Sequence, residues 1–219
     1  MPDWVWPVAR YMALGLRTTI ELSVLCAAVG LVIGVPLGIA LVGEFRTLRT
    51  ATRLYVELWR GLPLIVILFF VFFALPAVGL SLSAFLAAAT GLSLWSSAVV
   101  ADNVRGALQS IPQSQFDAAR ALGFGWVQAM WLVIFPQAVR RLLPPTLNML
   151  TSMIHGTSLA AQLGVLELLE ASRRSSQRLV LEDGDSHALA IFAAVLVVFF
   201  LICYPLVSFS RRLERRLRV

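Results

Sequence analysis

Four runs of apolar residues, Thr18 to Val42, Leu54 to Val78, Leu82 to Val104 and Ala188 to Phe209, decide what this chain can fold into. A hydrocarbon core about 30 Å thick is crossed by about 20 residues of α-helix, and each run is long enough. Of the 219 residues 59% are hydrophobic and 14% charged, against about 45–50% and about 25% in a soluble domain. A single all-α, polytopic membrane domain is expected.

A fifth span is expected from Leu142 to Leu163, LLPPTLNMLTSMIHGTSLAAQL. It carries Pro144, Pro145, Asn148, His155 and Gly156, which a lipid-facing helix would not normally hold, so it should be buried among the others. Irregular backbone at membrane depth is tolerated where it is buried or lines a cavity, and discontinuous helices commonly form transporter sites. The two prolines and His155-Gly156-Thr157-Ser158 are expected to interrupt this span.

Orientation follows from arginine, since all 18 basic residues are arginines. Arg46, Arg49, Arg53 and Arg60 lie between or just inside spans one and two; Arg105, Arg120, Arg140 and Arg141 between spans three and four; Arg211, Arg212, Arg215, Arg216 and Arg218 after span five. By the positive-inside rule these regions are cytoplasmic. The opposite side holds Arg10 and Arg17, an uncharged turn between spans two and three, and a loop from Glu167 to Asp185 with three arginines against five acids. Five spans with the N-terminus outside and the C-terminus inside satisfy both charge and parity. The first segment lacks the features of a cleaved signal peptide and is expected to stay in the protein.

Several functions are excluded or disfavoured. Without lysine there is no GxxxxGK[ST] loop, so the chain is not expected to hydrolyse nucleotide. The arginines form scattered clusters rather than one stripe, against nucleic-acid binding. Cys26 and Cys203 lie inside apolar runs and read as packing residues, and no catalytic or metal-binding set is evident. The basic, amphipathic SRRLERRLRV at the C-terminus suits the anionic inner leaflet.

Between spans three and four, over about 106–140, the sequence becomes specific. Ser114 and Asp117 have the S-x-x-D spacing of a capping box; Ala118, Ala119, Arg120, Ala121 and Leu122 are good helix formers; Gly123 is placed to end the helix in a left-handed conformation. About two turns fall short of the ~12–15 residues an isolated helix needs in water. Phe116, Ala119 and Leu122 make a small apolar face suited to a groove on another protein.

The stretch DAARALGFGWVQAMWLVIFP, Asp117 to Pro136, resembles the E-A-A-x3-G-x9-I-x-L-P signature of permease subunits of bacterial ABC importers. Asp117 stands for Glu, Val133 for Ile and Phe135 for Leu, with Gly123 and Pro136 in register. YVELWRGLPLIVILFFVFFALP (Tyr55 to Pro76), DNVRGALQSIPQSQFDAARALG (Asp102 to Gly123) and FPQAVRRLLPPTLNMLTSMIHGTSL (Phe135 to Leu159) are similar to the polar amino acid uptake branch. The resemblance implies that the helix at 114–123 is a coupling helix seated in a cleft of a cytoplasmic ATPase. It also implies two ATPase subunits holding ATP and Mg, a second permease of the same or a homologous chain, an extracytoplasmic solute-binding protein, and no cofactor in this chain. The transported solute would be an amino acid moved by alternating access across the bacterial inner membrane.

Other residues keep two readings. Asp102 either pairs with Arg105 at i,i+3 or meets a substrate amino group in the pathway. Arg60-Gly61-Leu62-Pro63 looks like the family's R-G-T-P, either packing on the coupling helix or simply starting a helix. His155, Thr157 and Ser158 are candidate pathway residues, although the family usually has Lys-Asp or Lys-Asn where this chain has His155-Gly156. A channel or secondary carrier working without an ATPase is the alternative; it explains the broken fourth span but leaves the short cytoplasmic helix without a job.

Overall fold

The computed structural model describes residues 3–217, with Asp183 described by its backbone alone. Among these residues every regular element is helical: α1 Val5–Val42, α2 Arg46–Gly61, α3 Leu64–Phe69, α4 Ala84–Gln109, α5 Gln113–Ala121, α6 Trp126–Ala129, α7 Phe135–Thr157, α8 Leu168–Asp183 and α9 Ala188–Leu217. Among the described residues α1, α4 and α9 are long and apolar enough to cross a membrane, and the bent pair Arg46–Gly61 and Leu64–Val78 makes a fourth if counted as one span. The segment expected as span four lies in α7 and the 3-10 turns Ser158–Leu163.

The run Leu54 to Val78 is not one straight helix: the chain bends by 103° between Gly61 and Leu64. Pro63 causes this, because its ring disfavours helical backbone in the residue before it; Leu62 is extended at φ −89, ψ 140. Residues 167–185 are not a loop, since Glu167 starts α8 by accepting from the N–H groups of Leu169 at 3.0 Å and Glu170 at 2.6 Å. Pro144 and Pro145 do not interrupt α7, which runs through both. The Pro144 carbonyl accepts from Ser210 Oγ at 3.2 Å. The basic tail as far as Leu217 continues α9 rather than forming a separate surface helix; Arg218 and Val219, the rest of that expectation, lie outside the described residues.

Two prolines coincide with widened turns. Phe70–Ala74 and Met130–Ile134 are π-type, and each is followed two residues later by a proline, Pro76 and Pro136. A proline offers no N–H and crowds the carbonyl one turn back, and a π turn accommodates both faults.

The chain forms two compact units, to both of which α1, α4, α7 and α9 contribute. One comprises the residues up to Ala27, Pro63–Ser93 and Leu150–Leu206. Its core gathers Val8, Met12, Leu168, Leu179, Ile191 and Val195. Gly15 lets α8 approach α1, since a Cβ there would lie 2.6 Å from the Glu167 carbonyl oxygen. Thr19 Oγ1 accepts from the Leu168 N–H at 3.1 Å. Burial pushes the Glu167 carboxyl above the usual carboxylate range, opposed by the two N–H groups it accepts. Glu170, its side chain 3% exposed, is held between Arg173 at 2.8 Å and Arg174 at 2.7 Å.

The other unit comprises Ala28–Leu62, Leu94–Met149 and the residues from Val207. Gly30, Gly34 and Gly38 form a stripe every fourth residue of α1, against Ser96, Ser97, Val100, Ala101 and Val104 of α4. Small residues at this spacing let helix backbones approach where lipid supplies no hydrophobic drive for association. α2 packs through Val56 with Leu41, Ala98 and Ala101, flanked by Tyr55 and Trp59.

Candidate functional site

α5 starts one residue before Ser114, not at it. Pro112 sits at the cap position with φ −56, ψ 140 and no side-chain cap bond. The expected Ser114–Asp117 capping box is therefore absent: the proline sets the entry, and Ser114 is exposed within the first turn. Asp117 accepts instead from Gln113 Nε2 at 3.4 Å. The other end forms as expected. Gly123 has φ +81; its N–H donates to Arg120 O at 2.9 Å and the Phe124 N–H to Ala119 O at 3.1 Å, the pair of bonds that closes a helix through a left-handed glycine.

The expected apolar face divides in two. Ala119 is 1% exposed, whereas Leu122 is 73% exposed and Phe116 is half-buried. Ala119 belongs to the chain's own core, and α5 packs on the Met130–Ile134 turn, which carries buried Met130 and Ile134. Leu122 faces outward, as do Ala118 and Ala121; Val127, just beyond, is 60% exposed.

Side chains further along hold this segment. Gln137 Nε2 donates to Gln115 Oε1 at 3.1 Å and to Val133 O at 2.8 Å. Arg141 Nη1 donates to Ser110 O at 2.5 Å. The start of α7, with exposed Pro136 in its first turn, is thereby fastened to both ends of the α4–α5 connection. Neither bond was readable in the sequence, because a glutamine pair 22 residues apart has no spacing signal.

Asp102 joins two elements. Its Oδ1 accepts from Arg105 Nε at 3.0 Å and Nη2 at 2.6 Å, while Oδ2 accepts from Arg60 Nη1 at the end of α2. Tyr55 OH lies 2.7 Å from Ser97 Oγ, which itself donates to Leu94 O, so the tyrosine is the donor. The Arg60 of the R-G-L-P stretch thus ties the end of α2 to α4. Asp102→Asn is expected to lower the thermal midpoint of the purified subunit by a few degrees, with a less than additive effect on an Arg60→Gln background, as for directly interacting partners. A raised KM for uptake with unchanged stability would show instead that this carboxylate serves solute.

His155 is exposed, its ring 6.4 Å from that of Phe199. Thr157 is fully buried, its hydroxyl donating to Ile154 O at 2.8 Å, and Ser158 is half-buried where α7 gives way to 3-10 turns. The interruption expected at His155-Gly156-Thr157-Ser158 is not there: α7 runs through Thr157, and the chain continues from Ser158 in 3-10 turns without leaving helical backbone. No group of three or more His, Cys, Asp or Glu side chains able to hold a metal occurs among the described residues.

Fold and site together define a multi-pass, all-helical membrane protein with a short helix closed by a left-handed glycine. The chain belongs to the family of binding-protein-dependent transport system inner membrane components, whose model matches residues 30–219. It is 35% identical to the glutamine transport system permease protein GlnP of Escherichia coli K12, over 99% of this chain and 98% of that one. It is 32% identical to the probable amino-acid ABC transporter permease protein YckA of Bacillus subtilis 168, over 94% and 88% of the two chains. A crystal structure of an amino acid ABC transporter with histidines superposes with a TM-score of 0.84 at 25% identity, covering 99% of each chain. The protein is accordingly a permease subunit of the inner membrane, in a family that works with ATPase and solute-binding partners.

Proposed function

We propose that this chain carries a small solute, an amino acid, through the inner membrane by alternating access, with α5 relaying ATP-driven closure of an ATPase. The observation that carries the reading is α5 itself: nine residues, closed by a left-handed glycine, fastened on one side and on the other exposing Ala118, Ala121 and Leu122 among the polar Ser114, Asp117 and Arg120. Such a helix moves as a rigid lever, and a ligand-driven shift between two arrangements of two permeases is the bistable element it would bias. The assembly would hold two ATPase subunits, a second permease, identical or homologous, and an extracytoplasmic binding protein. ATP and Mg would sit on the ATPases, with neither hydrolysis nor a cofactor in this chain.

Five spans with the N-terminus outside accommodate α7 as the crossing that its polar residues set apart. In this arrangement His155, Thr157 and Ser158 lie where the helix changes type, a place suited to a solute path, and the amino-acid relatives name the solute class. Asp102 would meet solute only if its arginines release it.

The test is uptake into proteoliposomes holding this chain, its partner permease and the ATPase, with binding protein added. Amino-acid uptake that requires ATP and binding protein is the expected result. Uptake without any ATPase would favour the channel or secondary carrier, and an intact complex with nucleotide-independent solute levels would reduce the chain to an anchor.

A further inference from the structure

We propose that an arginine-lined hollow beside the coupling segment binds the phosphate of an anionic phospholipid headgroup. The hollow, about 450 Å³, is lined by Arg140 and Arg141 of α7, Arg216 and Leu217 at the end of α9, Gln137 and Ile111, and no acid is among its lining residues. Arg141 is fixed to the wall by its bond to Ser110 O. Among the described residues the guanidinium groups of Arg140 and Arg216 have neither an ion-pair nor a hydrogen-bond partner. Glu214, the nearest acid along α9, faces Ser210 Oγ at 3.4 Å.

Three guanidinium groups with no counter-charge among the described lining residues repel one another, and an anion relieves this. Arginine's planar fork of donors matches phosphate oxygens. Ile111, 4% exposed, and Leu217 supply an apolar border that suits the glycerol and acyl part of a lipid better than a hydrated ion. Basic pockets beside spanning helices on the cytoplasmic side hold anionic headgroups; that this end is cytoplasmic rests on the orientation proposed above. The consequence concerns coupling. Arg141 and Gln137 line the hollow and also fasten Ser110 and Gln115, so a bound lipid stiffens the mounting of α5.

The test is native mass spectrometry of the intact permease–ATPase complex in neutral detergent, titrated with short-chain phosphatidylglycerol. Each arginine near an anionic surface is worth about fivefold in affinity, so Arg140→Gln with Arg216→Gln should weaken lipid binding about twenty-fivefold. Arg211→Gln with Arg212→Gln, on the same helix but outside the hollow, should leave it unchanged. Where the first double variant fails to assemble, Arg216→Gln alone, at the exposed end of α9, should show the smaller loss. Equal losses in both double variants would mean diffuse attraction and overturn the site, as would no loss in either. Inorganic phosphate binding as tightly as the lipid would overturn the lipid as the source. Binding in detergent needs neither ATP nor solute, so its failure is distinguishable from failure of the importer reading.

Discussion

Gly34→Ala is expected to lower the thermal midpoint of the purified subunit, and Gly34→Leu to prevent the α1–α4 contact from forming, whereas Gly106→Ala should be neutral or stabilising. A Cβ at Gly34 would lie 2.6 Å from Ser97 O and 2.6 Å from Val100 Cβ, contacts that nothing flexible can relieve because one is backbone. Overpacking of this kind costs about 1–3 kcal/mol, more where the backbone must move. Gly106 is also inside a helix, but a Cβ there meets nothing within 4 Å. In that setting alanine gains about 0.5–1 kcal/mol from reduced backbone entropy. The two substitutions are chemically identical and differ only in what faces them, so a difference in sign isolates close approach from helix propensity. Equal shifts at both sites would show that the Gly30, Gly34 and Gly38 stripe is not what brings α1 against α4.

The sequence shows that stripe only as three glycines four residues apart in an apolar run; what they face appears only in three dimensions. The apolar runs themselves were legible, since length and hydropathy are properties of a segment alone. Boundaries were less so. α1 begins at Val5, well before its apolar stretch, because Val8 and Met12 pack with Leu168 and Ile191, contacts with no local signature. α8 was hidden by its charges, which read as a loop until Glu170 is seen shielded between Arg173 and Arg174. Pro63 broke a helix where Pro144 and Pro145 did not. The difference lies in context: Gly61 and an extended Leu62 precede Pro63, while α7 is supported by Ser210 on the carbonyl of Pro144. At the site, Gly123 was legible because only one conformation explains a glycine closing so short a helix. Gln115 and Gln137 were not, because their partnership exists only in three dimensions.

Leu122→Asp and a series at Gly123 should separate the two demands that the proposed coupling role places on α5, which are to fit a partner and to stay helical. Leu122 is 73% exposed in this chain, so aspartate there leaves the subunit's own stability nearly unchanged. In the assembled transporter the leucine would be covered; burying such a side chain is worth about 1.5–3 kcal/mol, and an unpaired carboxylate in its place adds a desolvation penalty. Loss of roughly a hundredfold in ATPase affinity, or about 2.7 kcal/mol, is the expected result, read by co-purification and by solute moved per ATP hydrolysed. Gly123 acts differently. Its φ of +81 is the obstacle to substitution, since a Cβ there meets nothing within 4 Å. The left-handed conformation costs an ordinary residue about 1–2 kcal/mol, and asparagine less. Transport should therefore fall in the order Gly, Asn, Ala, Val, with asparagine recovering part of what alanine loses although it is the larger residue. An order set by side-chain size would mean that Gly123 matters for close approach to the partner. A valine variant that transports like the parent would show that the end of α5 is no lever at all.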